Sequence, residues 1–537
     1  MGIPSYFSHI VKNHSEIIKR LDKLKSINNI YLDSNSIIYD TLRIISKEYT
    51  GNDDAFEDLL IQGVINKLDE YLHFIKPTGV VFIAFDGVAP VAKLEQQRTR
   101  RYKSYLLNDI RSKLDPTTDK VWDKTAITPG TKFMKKLGDG ITGHYINKEK
   151  SYGANQIIVS TSQEPGEGEH KIFQYIRDRP KYHEKTNTLV YGLDADLIML
   201  CLNHLPISKH IYLYRETPEF IKSINSDLEP NEAYFLDIPE LANVILQDMN
   251  GYGKIDSKEK YNRLYDYIFL CFFLGNDFLP HFPSVNIRTG GINILTAAYR
   301  NTIGKTKKNL TNGKTIFWNN VYTLVEYLTN HELENLKSEY KIRNKWEKRF
   351  YPSTDIDEKM KKLDAIPTKR RAVEKFIDPH SYHWENRYYK KLFNMDLNRP
   401  FLQEICNNYM EGLEWVMNYY TTGCLDWRWS YKYHYPPLWK HLLQFIPRWN
   451  TVMIPKNDHK NVSQLVQLSY VLPRPSLKLL PSEIEKVLLE KYKSNYPLDC
   501  EMHWAFCKYF WEAHPGLPHI NIANLENLCC STQTNSN

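Results

Sequence analysis

Cysteine is scarce in this chain and scattered. There are eight in 537 residues, with no CxxC pair and only Cys529 and Cys530 close together. That excludes a disulfide framework and the usual structural zinc sites, and it points to reduced thiols in an intracellular chain, cytoplasmic rather than nuclear. The basic cluster PTKRR at 367–371 is the only stretch resembling a nuclear signal. Long apolar runs are missing too: nothing approaches the roughly 20 residues of a membrane helix. The N-terminus has no signal-peptide pattern, and MGIPSY carries Tyr6 where a myristoylation signal needs Ser or Thr. There is no internal repeat. Nor does charge of one sign dominate: a net +7 permits an anionic partner such as nucleic acid without requiring one. What the chain does have is 42% hydrophobic residues, 37 tyrosines, and length enough for two or more domains around a large core.

The first half alternates strand and helix patterns. Short apolar runs at 29–32, 80–85, 156–162, 188–193 and 210–214 read as strands. Between the first two, Phe56, Leu59, Leu60, Val64, Leu68 and Leu72 form the buried stripe of a helix over 56–72. Strands separated by helices predict a mostly parallel sheet covered on both faces. In such sheets ligands bind beyond the carboxyl ends of the strands. Asp33, Asp86, Asp194 and Asp196 fall there, with Asn35 just after the first. Glu167 and Glu169 lie in EPGEGEHKI, at or just before a helix start, and Asp277 lies in LGNDFLPHFPS after an apolar run. Any one of these could be a cap or a turn residue. Seven together are a different matter. Two like charges about 4 Å apart repel by roughly 4 kcal/mol at an effective dielectric near 20, so such a cluster calls for cations. All-oxygen ligation suits Mg²⁺ or Mn²⁺ rather than zinc. Two such ions would activate water and stabilise a leaving oxygen in phosphodiester hydrolysis.

The stretch VFIAFDGVAPVAKLEQQRTRR, 81–101, joins this acidic edge to a basic helix. A strand ends at Asp86, and a helix begins at Pro90. Lys93, Gln97, Arg100 and Arg101 then share one helical face. A scissile phosphate at the first and a terminal phosphate at the second would fit that order.

These segments, together with MGIPSYF, YLDSN, ITPGTKFM and GLDADLIML, resemble in order and spacing the N-terminal region of the Xrn-type 5′-to-3′ exoribonucleases. WENRYYKKLF, YMEGLEWVMNYYTTGCLDWRWSYKYHYPPL and VLPRPSLKLLP resemble a second block of the same family. The resemblance covers roughly 1–300 and 380–525. It implies a PIN/flap-nuclease-like α/β core, a mostly parallel sheet flanked by helices, with a second helix-rich α+β domain packed against it. It implies that Asp33, Asp86, Glu167, Glu169, Asp194, Asp196 and Asp277 are the catalytic carboxylates that bind two Mg²⁺, with Mn²⁺ able to substitute, and that Asn35 supports them. Lys93, Gln97, Arg100 and Arg101 match the pocket for an RNA 5′-monophosphate, too confined for a cap or a triphosphate. The family stacks the terminal base between a Trp and a His. Here Trp427 and Trp429 represent the Trp block, and Tyr39 stands in place of the His.

The expected activity is stepwise hydrolysis of single-stranded RNA with a 5′-monophosphate to mononucleotides, in RNA degradation, by a monomer with no membrane partner. A flap-type DNA nuclease shares the acidic set, and a silent RNA-binding scaffold is the non-enzymatic alternative. The expected division is a nuclease domain at 1–300, a charged linker at 301–380, a second domain at 381–525 contributing aromatic RNA-stacking residues, and a disordered polar tail at 526–537. The aromatic patch 419–435 serves equally well as core or as a stacking surface.

Overall fold

Seven strands form one sheet: β1 (Ile18–Arg20), β2 (Asn29–Asp33), β3 (Val80–Ala84), β4 (Gln156–Ser160), β5 (Thr188–Tyr191), β6 (Ile211–Glu216) and β7 (Ala233–Asp237). Their spatial order is β1-β7-β6-β5-β2-β3-β4. The five from β4 to β6 run parallel, and β7 and β1 add antiparallel pairings at one edge. Every residue of β2, β3 and β5 is buried. Helices cover both faces, which is why these strands read as unbroken apolar runs rather than alternating ones. This computed structural model describes residues 3–534 apart from Pro4, Lys25, 116–120, 217–221, 223–224, Asn231 and 251–258. Three residues of the MGIPSYF motif and 535–537 of the expected tail lie outside the described residues. No helix among the described residues is long and apolar enough to cross a membrane.

The helices that bear on the site are, in chain order, α1 (Asn35–Ile45), α2 (Asp53–Ile75), α3 (Val91–Leu114), α4 (Gly168–Asp178), α5 (Asp196–Asn203), α6 (Lys260–Phe272), α7 (Trp318–Glu347), α8 (Arg399–Thr421), α9 (Gln464–Val471) and α10 (Ile522–Thr534). One core lies between the sheet and α2. The other face of the sheet continues without interruption through α5, α6, α7 and α8. The second half of the chain is thus built onto the same core as the sheet. A third, smaller core joins Val88–Leu94 to residues of 462–529. There Ala89 N–H donates to Gln467 Oε1 at 3.0 Å, and Tyr470 OH donates to Glu95 Oε2 at 2.6 Å.

Two stretches differ from expectation. The charged linker at 301–380 contains α7, thirty residues long, with Trp318, Val321, Val325, Leu328 and Leu336 buried in the main core. The lysine-rich strings that suggested a linker, 305–314 and 359–371, flank this helix, and its own apolar stripe has helical period. The tail expected from 526 is helical as far as Thr534, and Leu525 and Cys529, one turn apart, are buried in the third core.

Inside the supposed linker, the fully buried Arg343 forks onto Glu374, with Nε at 2.9 Å and Nη2 at 2.6 Å from its carboxylate oxygens. Removing one partner of a buried pair strands the other charge, at about 3–5 kcal/mol. Glu374→Ala is therefore expected to lower unfolding free energy by that amount in urea titrations. A loss below about 1 kcal/mol would mean the segment contributes little to the fold.

Candidate active site

The acidic residues arrive from separate elements. Asp33 closes β2, Asp86 lies two residues past β3, and Asp194 lies three past β5. Asp196 opens α5, Glu167 immediately precedes α4 and Glu169 is in its first turn; Asp277 follows α6. The loops after β3 and β4 are laced together. Gly87 N–H donates to Gly166 O, and Gly166 N–H to Val88 O, both at 2.8 Å. Gly168 makes the close approach possible. A Cβ there would sit 2.8 Å from Asp33 Oδ1, and its N–H donates to Asp86 Oδ1 at 2.7 Å. Asn35 holds Asp86 from the other side: its Nδ2 donates to Asp86 Oδ2 at 2.5 Å, and its Oδ1 accepts from Asp86 N–H at 3.1 Å.

The electrostatics show that these groups share one space. Burial pushes the Asp33 carboxyl well above the ordinary range, and the charges of Asp86, Asp194 and Glu167 push it further. Burial and then Glu167 do the same to Glu169, against the pull of Lys93. Asp196 is pushed up to about 7 by burial and by Asp277. The Lys93 ammonium opposes them. Lys93 Nζ lies 2.6 Å from Glu167 Oε1 and 2.7 Å from Asp277 Oδ2. Burial works against its charge, but Asp277, Glu167, Glu169 and Asp196 hold its pKa well above the ordinary lysine value. Burial works to raise Asp277, but the charge and hydrogen bond of Lys93, together with further positive charge, bring it below the ordinary carboxylate value. Seven carboxylates converge around this ammonium, and Asp33, Glu169 and Asp196 keep raised pKa values in spite of it. Asp196 Oδ1 is also buried with no hydrogen-bond partner. An orphaned oxygen in an oxygen-rich, negatively charged pocket fits a hard divalent cation.

The four residues expected on one basic face separate. Lys93 is inside the acidic cluster. Gln97 and Arg101 are buried together: Arg101 Nη1 is 3.4 Å from Gln97 Oε1, and its Nε and Nη2 donate to Thr128 Oγ1 at 3.2 and 2.8 Å. Burial and then Arg100 lower the Arg101 guanidinium to about 10, with Tyr39 and Asp86 acting the other way. Arg100 is exposed. The two tryptophans also part. Trp429 is 8% exposed and stacks on Trp415 at 5.3 Å between ring centroids, so it is packed into the core. Trp427 is half-buried, and its carbonyl accepts from Val91 N–H, the first residue of α3, at 3.0 Å. Tyr39, in α1, is 39% exposed.

The sequence reading missed two residues here. Tyr419 OH donates to Glu167 Oε2 at 2.8 Å. His170 stacks on Tyr419, with ring centroids 3.6 Å apart, and burial pushes its pKa well down. A ligand atom of His170 lies within 4.8 Å of one on each of Glu167 and Glu169. Its position directly after Glu169 was the available signal.

Comparison with known proteins agrees with this geometry. A family model described as the N-terminus of XRN 5′-3′ exonucleases matches residues 1–217, and a model of the Xrn1 helical domain matches 258–383 and 377–533. The chain is similar to 5′-3′ exoribonuclease 2 of Arabidopsis thaliana, at 26% identity over 98% of this chain and 66% of that protein. It is similar to 5′-3′ exoribonuclease 1 of Homo sapiens, at 27% over 98% and 34%, and to 5′-3′ exoribonuclease 2 of Kluyveromyces lactis, at 31% over 63% and 40%. The aligned region is between about one third and two thirds of the length of these curated relatives.

Asp196 generates a pH test. Its carboxyl titrates near 3.8 when free and about 7 in the fold, so between those values the folded chain binds the extra proton. Stability is therefore lost as pH rises through that window, by at most about 1.4 kcal/mol per pH unit for one proton. In buffer containing chelator, Asp196→Asn is expected to be more stable than wild type at pH 8, with the difference shrinking towards pH 4. Urea midpoints across that range measure it. Parallel profiles would show that Asp196 ionises normally.

Proposed function

The chain belongs to the XRN 5′-3′ exonuclease family, and from that premise we propose that it hydrolyses single-stranded RNA bearing a 5′-monophosphate, one mononucleotide at a time, as a monomer acting in RNA degradation. The observation that carries this reading is a single helix, α3. Its start is pinned in the acidic cluster by Lys93, and it carries the buried Arg101–Gln97 pair eight residues further along.

Asp33, Asp86, Glu167, Glu169, Asp194, Asp196 and Asp277 would hold two Mg²⁺ ions, or Mn²⁺ in their place, and these supply an activated water and neutralise the charge on the leaving oxygen. The chain's own residues determine which bond is presented. Thr128 fixes the Arg101 guanidinium by two of its five N–H donors and leaves others to grip a terminal phosphate. Lys93 and Arg101 are about 12 Å apart along the helix axis, which sets the reach from terminal phosphate to acidic cluster at roughly one nucleotide. The family resemblance implies that the pocket at Arg101 and Gln97 would be too confined for a cap or a triphosphate. Tyr39 and Trp427 would stack on the terminal bases, while Asn35 and Tyr419 hold Asp86 and Glu167 in place.

End-labelled RNAs with different 5′ groups test this. Wild type is expected to degrade 5′-monophosphate RNA fastest, to use 5′-hydroxyl, triphosphate and capped RNA poorly, to spare circular RNA, and to stop when the cation is chelated. Arg101→Ala is expected to erase the preference for 5′-monophosphate over 5′-hydroxyl, a loss of roughly tenfold to a hundredfold for one charge-assisted contact. Circular RNA cut as fast as linear would replace this reading with an endonuclease.

The tryptophans give a second measurement. Trp427→Ala is expected to weaken RNA binding by roughly 1–3 kcal/mol with little change in stability. Trp429→Ala is expected to lower the melting temperature first. The reverse pattern would remove Trp427 from the RNA path.

A further inference from the structure

Beside the acidic cluster is a cavity of ≈ 250 Å³ between α3, the loop that follows α6, and the segment 431–435. Asp277 and Arg100 line it, so it opens next to the catalytic residues while lying on another side of α3. Gln96 faces it, and neighbouring residues of a helix point about 100° apart, so it is set apart from Gln97 and Arg101. Phe278, Tyr431, Tyr433 and Trp511 give it aromatic walls.

Its polar lining is incomplete. Both the Nε2 and the Oε1 of Gln96, the Nδ2 of Asn276 and the Nε2 of His281 are buried with no hydrogen-bond partner. The Asn276 amide cannot turn to relieve this. Its Oδ1 already accepts from the N–H groups of Phe278 and Leu279, at 2.9 and 2.8 Å, which commits the Nδ2 to the other side. Burial keeps His281 neutral by lowering it to about 4. Buried polar atoms are paired almost everywhere in folded proteins, so these unpaired ones around one cavity call for an occupant. Water would satisfy them singly but would gain nothing from the aromatic walls.

We infer that this cavity is a second nucleotide site, which takes the base of an adenine nucleoside monophosphate; the inference rests on the exoribonuclease reading for the identity of its ligand. A side-chain amide with a free donor and a free acceptor matches the N6 and N7 edge of adenine, which Gln and Asn engage bidentately. Aromatic faces supply the stacking that bases seek. The volume lies just below the range of about 300–1,000 Å³ for drug-sized ligands, which limits the occupant to one nucleoside. Exposed Arg100 at the edge can meet its phosphate. The base comes either from a free mononucleotide, such as the reaction releases, or from a purine within the bound RNA.

The test is titration of the full chain, in chelator, with AMP, GMP, UMP and CMP, followed by calorimetry. AMP is expected to bind saturably and about tenfold more tightly than UMP, and Gln96→Met and Ala92→Leu, which removes the amide and fills the cavity respectively, should each weaken AMP by about tenfold or more. Hydrolysis of 5′-phosphorylated oligo(U) by Gln96→Met should stay within about threefold of wild type, because the lost contact is to a purine. If Gln96→Met also weakens 5′-phosphorylated oligo(A) but not oligo(U), the base comes from RNA; if it weakens only AMP, from free nucleotide. Equal binding of UMP and AMP, or AMP binding untouched by both substitutions, overturns the site. A chain that binds AMP in this way but degrades no RNA loses the exoribonuclease reading and keeps the site.

Discussion

Mutual repulsion among buried carboxylates is the constraint on which this molecule depends. At roughly 4 kcal/mol for each close pair, a cluster of seven would drive its own loops apart. Three features oppose it. The sheet fixes the ends of β2, β3 and β5 side by side. Gly168 lets α4 enter between Asp33 and Asp86, where any side chain would collide. Lys93 carries a positive charge into the middle. Burial first, and then the neighbouring carboxylates, still hold the pKa values of Asp33, Glu169 and Asp196 above the ordinary range.

Lys93 also connects the two halves of the site. It belongs to α3, so the helix that carries Gln97 and Arg101 starts from a residue locked into the acidic cluster. The base of that helix is held on its outer side by α9 and by residues up to Cys529, in the small third core. The aromatic wall from α8 closes the cluster through Tyr419 and Glu167. The second half of the chain is therefore part of the site's support.

Much of this was legible in the sequence. Asp33, Asp86 and Asp194 each end an apolar run, and in a parallel sheet a run's end is a position in space. Helical spacing placed Lys93, Gln97 and Arg101 on one face. Spacing says nothing of depth, however, and so did not reveal that Lys93 bonds carboxylates while Arg101 bonds Thr128. β1 has three residues, too few for a pattern, and β7 is an antiparallel addition at the sheet's edge. The lysine-rich segments flanking α7 hid its buried stripe, because composition was weighed there before period. Trp427 and Trp429 are the same residue type two positions apart, and only packing against Trp415 distinguishes them.

The clasp between Ala89 and Gln467 spans 378 positions of chain. At the roughly 5–20 residues per second of protein synthesis, about 20–80 s separate the making of the two ends of that bond. During that interval the sheet and its acidic loops can already exist, but the helix that carries Gln97 and Arg101 lacks its outer support. A half-made chain, still attached to the message that encodes it, is thus without a finished site, and that support arrives only after Gln467 and the helix around it have been made.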